Sequence, residues 1–100
     1  MKIKLSPFAE QDLDDSIEYF NQQKEGLGDE FVNNVIETFE RIKENPTQFP
    51  KINQNLRKAQ TNGFSFNVFF TVKDAIAYIL GIFHTSRNPK TMKSRYKLTK

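Results

Sequence analysis

Ten consecutive positions, Ala75-Ile76-Ala77-Tyr78-Ile79-Leu80-Gly81-Ile82-Phe83-His84, form the least polar stretch of the chain. The run falls well short of the roughly 18 apolar residues needed to span a bilayer. Its content of Ile suits an extended backbone, and its lack of alternation implies that both faces are covered. It therefore reads as a central strand, which needs neighbours beside it and a layer on either side.

The neighbours are legible upstream. Phe64, Phe66, Val68, Phe70 and Val72 alternate with Ser65, Asn67, Phe69 and Thr71, the period of a strand with two distinct faces. Lys73-Asp74 makes the tight reversal into the apolar run. Thr47 to Gly63 reads as a loop with one strand around Leu56 to Ala59. At the N-terminus Ile3 and Leu5 alternate with Lys2 and Lys4, a short half-buried strand.

Between these strands the period changes to that of helices. Ser6-Pro7 combines an N-cap with a proline at the first helical position, where a missing N–H costs nothing. Ala9, Leu13, Ile17 and Phe20 then form one stripe of a helix ending near Gln23. Gly26-Leu27-Gly28 is a turn. A second helix from about Asp29 to Glu44 carries Phe31, Val35, Phe39 and Ile42, and Asn45-Pro46 stops it. So short a link implies an antiparallel helical hairpin. The expected architecture is one α+β domain over residues 1–100, with an N-terminal strand and the hairpin packed on a small antiparallel sheet. Thr85 to Lys90 reads as a loop, and a basic tail follows.

Composition limits the chemistry. The 100 residues include ten Phe and no Trp, enough rings for one compact core but with marginal stability expected in the absence of a partner. There is no Cys and a single His, so thiolate and His-rich metal sites are excluded, and no cofactor is implied. The opening residues lack the apolar core of a signal peptide, making the cytoplasm the default location with no membrane partner. Residues 1–44 hold eleven acidic and five basic side chains, whereas residues 45–100 hold Asp74 alone against ten bases. Such a split suggests an acidic face and a basic face, the latter suited to phosphate or an acidic partner.

Four stretches carry a family resemblance: Leu5-Ser6-Pro7-Phe8-Ala9-Glu10-Gln11-Asp12-Leu13, Glu44-Asn45-Pro46 with Phe49-Pro50, Leu56-Arg57, and Ile79 through Pro89. In this order they resemble the RelE/ParE toxins of bacterial type II toxin–antitoxin systems, with the last stretch closest to ParE-like members. The resemblance implies a toxin neutralised in a hetero-oligomer with a cognate antitoxin. It leaves the target open between DNA gyrase, poisoned by binding, and mRNA on the ribosome, cut by an endonuclease. A non-toxic remnant that only binds its antitoxin is a third reading.

Cutting RNA through its own 2′-hydroxyl needs a proton acceptor, a proton donor and positive charge at one phosphate. The residues available for it are Arg57, His84 and Arg87. Asn67 stands where nuclease relatives tend to carry Arg, and a neutral amide cannot replace that charge. His84 can serve as general acid–base or as a strand-end imidazole satisfying backbone groups. Tyr96 reads as a packing ring. Arg57 is either a target contact or a partner for an acid of the hairpin. Arg87 either joins backbone amides around an anion or is simply solvated. The tail bases Lys93, Arg95 and Lys97 either contact an acidic groove or nucleic acid, or face water. Alternation directs Phe69 to the sheet face away from the helices, where an exposed ring would dock an antitoxin segment.

Overall fold

The computed structural model describes residues 1–88 and 90–99, the last helix by backbone alone at positions 93 and 96–99. Strand β1 (Lys2–Leu5) leads into helix α1 (Pro7–Gln23), followed by α2 (Leu27–Glu44) and a 3₁₀ turn at Pro46–Gln48. Strands β2 (Lys51–Asn53), β3 (Leu56–Gln60), β4 (Phe66–Lys73) and β5 (Ile76–His84) come next, and helix α3 (Lys90–Thr99) closes the order. Ser6 caps α1 as its sequence predicts: its Oγ accepts the Ala9 N–H at 3.1 Å. Gly26, at φ 83°, supplies the left-handed residue from which α2 starts, two positions earlier than Asp29. Arg41 fastens α2 to the sheet, donating to the Gln60 carbonyl at 2.8 Å while pairing with Glu37 at 3.0 Å.

The sheet has the order β1-β5-β4-β3-β2, so the apolar run is an interior strand as its composition requires. Strands β2 to β5 form an antiparallel meander, but β1 pairs parallel to β5, with Lys2 opposite Ile76 and Leu5 opposite Ile79. The sheet is therefore mixed, not antiparallel throughout. Three successive reversals leave β5 running in the same sense as β1, a direction that side-chain alternation within β1 does not encode. Strand β2 is a further addition, because its exposed Lys51-Ile52-Asn53 offers no buried face to read.

Two cores flank the sheet. The hairpin packs Ala9, Phe31, Val35 and Ile42 against Ala59, Phe66, Val68, Phe70, Ala77, Ile79 and Ile82. Phe20, Phe31, Phe64 and Phe66 interlock there, with the Phe31 and Phe66 ring centroids 4.7 Å apart. On the opposite face Leu56, Phe69, Leu80 and Phe83 pack with Met92 of α3. The residues expected as a solvated tail thus form a helix that covers the second face. Asn88 Oδ1 accepts the Lys90 N–H at 3.0 Å where this helix begins.

A bulge sets which residues face which core. Phe69 pairs with Gly81 but Phe70 pairs with Ile79, leaving Leu80 as an extra residue in β5. Ala77 and Ile79 face the hairpin before it and Ile82 after it, a change of parity that plain alternation does not anticipate. Gly81 sits at this point because a Cβ there would run into the Met92 side chain of α3.

The β4–β5 reversal holds Asp74 and Ala75 at φ 53° and 61°, the pattern of a type I′ turn. Alanine gains nothing from that geometry, since a Cβ in the left-handed region costs about 1–2 kcal/mol. Glycine removes the clash but has more freedom to lose on folding. Ala75→Gly is therefore expected to raise the unfolding free energy by about 0.5–1 kcal/mol in urea denaturation. An unchanged or lower midpoint contradicts this account of the turn.

Candidate functional site

The sheet separates the residues proposed for a nuclease centre. Arg57 pairs in register with Phe70, whose ring lies in the hairpin-side core. Its Nη1 donates to the Phe49 carbonyl at 2.6 Å, so it braces the segment after α2 and pairs with a carbonyl instead of an acid of the hairpin. Arg87 lies on the other side. Its guanidinium sits 4.1 Å from the centroid of Phe83, which belongs to the second core. Arg57 and Arg87 are thus directed to opposite faces of the sheet.

Three amides of the loop that carries Arg87 are already engaged within the protein. The Thr85 N–H donates to the Ser65 carbonyl at 2.8 Å, and the Arg87 N–H to the His84 carbonyl at 3.0 Å. The Ser86 N–H donates to His84 Nδ1 at 3.1 Å, and Ser86 Oγ lies 2.8 Å from the same nitrogen. These bonds hold the loop shut, and they give the exposed His84 the role of backbone acceptor foreseen for a strand-end imidazole. What remains for a partner is the exposed Arg87 side chain stacked on its ring.

Phe69 does point away from the hairpin, but it is only 5% exposed, packed against Phe83 and within the core that Met92 completes. The ring expected to be open for an antitoxin is already covered, because α3 lies where a tail was anticipated. Of the tail bases, the side chains of Lys93 and Lys97, like that of Tyr96, lie outside the described residues.

Arg95 is not a free surface cation. Its Nη1 lies 2.6 Å from Asp12 Oδ2 and its Nη2 3.1 Å from Oδ1, a two-bond pairing between α3 and α1. The same Oδ2 accepts the Ile82 N–H of β5 at 3.0 Å. Strand β1 ends opposite Ile79, so Ile82 has no strand on that side, and the carboxylate takes the place of one. Arg95 also lies over Phe8 and Phe83, with centroids 4.9 and 4.7 Å away. Asp12 escapes a sequence reading because it sits among the acids that favour the first turns of α1. Met92 escapes it because one apolar residue among bases makes no stripe. Asn88-Pro89 was the available signal, since it repeats the cap-then-proline grammar of Ser6-Pro7.

Residues 3–89 match the family described as "ParE toxin of type II toxin-antitoxin system, parDE". The chain belongs to the ParE toxin family. A search of curated proteins found no match. Among solved structures, the ParE-family fold seen here is similar to a chain of the chromosomal ParDE toxin–antitoxin system from P. aeruginosa, with a TM-score of 0.74 and 20% identity. That match covers 84% of this chain and 95% of the other, and it shows a shared fold.

The Asp12–Arg95 pair makes a stability prediction for this ParE-family domain. Removing Asp12 leaves a desolvated guanidinium and an unpaired strand N–H, so Asp12→Ala is expected to cost about 3–4 kcal/mol. Arg95→Met keeps the stem packed and is expected to cost about 1–2 kcal/mol. The two losses should be non-additive by about 1 kcal/mol or more in a double-mutant cycle followed by urea denaturation. An Arg95→Met protein as stable as the parent would show that Arg95 has no bracing role.

Proposed function

We propose that this ParE-family chain is a toxin held inactive by a cognate antitoxin, and that it acts by binding DNA gyrase, not by cutting RNA. The opposite placement of Arg57 and Arg87 supports this reading most directly. Acid–base cleavage needs its groups within hydrogen-bond reach of one phosphate. Here Arg57 is held by a backbone carbonyl, His84 by Ser86, and Asn67 adds no charge on the face of Phe83. Binding asks less: an exposed cation fixed in direction by its ring, and a surface of one sign around it. Arg87 and the exposed Lys90 supply such a surface, together with the part-buried Lys58, which shares the register of Phe69. The reading places the protein in the cytoplasm, where gyrase and ribosomes work, in a hetero-oligomer with its antitoxin.

Induction in a host that lacks the antitoxin is expected to arrest growth, with the purified protein inhibiting gyrase supercoiling and leaving mRNA intact. Co-production of the antitoxin should restore growth. His84→Gln, which keeps an acceptor near Ser86, should leave toxicity within about threefold of the parent, whereas a general acid–base would lose about 10²-fold or more. Arg87→Ala should weaken target binding by about 1–3 kcal/mol if the guanidinium meets a carboxylate or phosphate. Both variants are first shown to fold by circular dichroism. Cleaved mRNA, gyrase untouched and a severe His84 effect would establish the endonuclease in place of this reading.

A further inference from the structure

A depression of about 480 Å³ opens between α1 and the β3–β4 turn, lined by Asp15, Ser16, Tyr19, Phe20, Phe64, Phe66 and His84. Its walls are aromatic and locked together. Phe20 contacts Tyr19 and Phe64 at centroid distances of 5.3 and 4.9 Å, and Phe66 meets the His84 ring at 5.4 Å. Phe64 reaches this wall from a backbone held at φ 60°, beside Ser65 at 52°. Tyr19 remains 57% exposed although its ring borders an apolar hollow.

The described residues that line this hollow carry a single fixed charge. Among the described lining residues there is one carboxylate, Asp15, and no ammonium or guanidinium. One Asp15 oxygen accepts from Gln11 Nε2 at 2.8 Å, which steadies the carboxylate without neutralising it. Asp14 and Glu18 lie exposed on the same helix. Ring faces attract cations, and a carboxylate at their edge adds direction. We propose that this depression receives an arginine side chain carried by a protein partner, with the guanidinium against Tyr19 and the ring cluster and paired with Asp15. Arginine suits it better than lysine because a flat, weakly hydrated cation stacks on rings and bonds a carboxylate through two N–H groups. The proposal goes beyond the gyrase reading, and it holds whether or not the chain is toxic.

The 100-residue chain offers a clean reporter, since His84 is its only histidine. Titration with N-acetylarginine methylamide is expected to shift the His84 and Tyr19 ring signals in NMR spectra saturably, with millimolar affinity. Asp15→Asn, at an exposed position, should weaken that binding about three- to fivefold, and Tyr19→Ala should weaken it at least as much. N-acetylnorleucine methylamide, similar in length but uncharged, should give no saturable shift over the same range. Equal shifts from norleucine, no saturation with arginine, or indifference to Asp15→Asn each overturn the proposal. Equal binding of the lysine derivative overturns the assignment to a guanidinium. Toxicity plays no part in this readout, so its outcome is separate from that of the gyrase assay.

Discussion

The carboxylate of Asp12 joins three elements, α1, β5 and α3, at one point of the sheet. Strand β1 stops opposite Ile79, and the Ile82 N–H beyond it would be buried without an acceptor. An unsatisfied buried donor costs about 1–3 kcal/mol, so something on α1 must reach it. A carboxylate does so only if its own charge is answered, and Arg95 answers it with two hydrogen bonds. That pairing fixes the position of α3, which in turn lays Met92 over Leu56, Phe69, Leu80 and Phe83. The second core thus follows from a polar requirement at a strand edge as much as from apolar surface.

The bulge at Leu80 has a comparable reach. By shifting the parity of β5 it sends Ile82 into the hairpin-side core and brings His84 opposite Phe66, beside α1. Phe83 goes to the other face and becomes the ring on which Arg87 rests. One extra residue therefore divides the neighbourhood of His84, acidic and aromatic, from that of Arg87, basic and exposed.

This division bears on how a family fold can serve unlike activities. A nuclease needs several polar groups gathered on one phosphate, and here Arg57 and His84 are engaged by backbone groups while Arg87 stacks on Phe83. A binding protein needs only rigid, correctly signed surfaces. The ring under Arg87 and the hydrogen-bonded loop around His84 both provide rigidity.

The sequence by itself determined the elements whose signals are local. Capping at Ser6-Pro7, the stop at Asn45-Pro46, the helical stripes and the apolar β5 each follow from short-range sterics and periodicity, and the family likeness follows from their order. Only the tertiary structure decided the direction of β1, the bulge, the helical state of the C-terminal segment and the burial of Phe69. Each of these depends on a partner far away in the chain: Ile76 for Lys2, Phe69 for Gly81, Asp12 for Arg95, Met92 for Phe69. The same holds for the site. Residue type nominated Arg57, His84 and Arg87, but which side of the sheet each one serves is a matter of register, and register is fixed by packing between strands, not by any one of them.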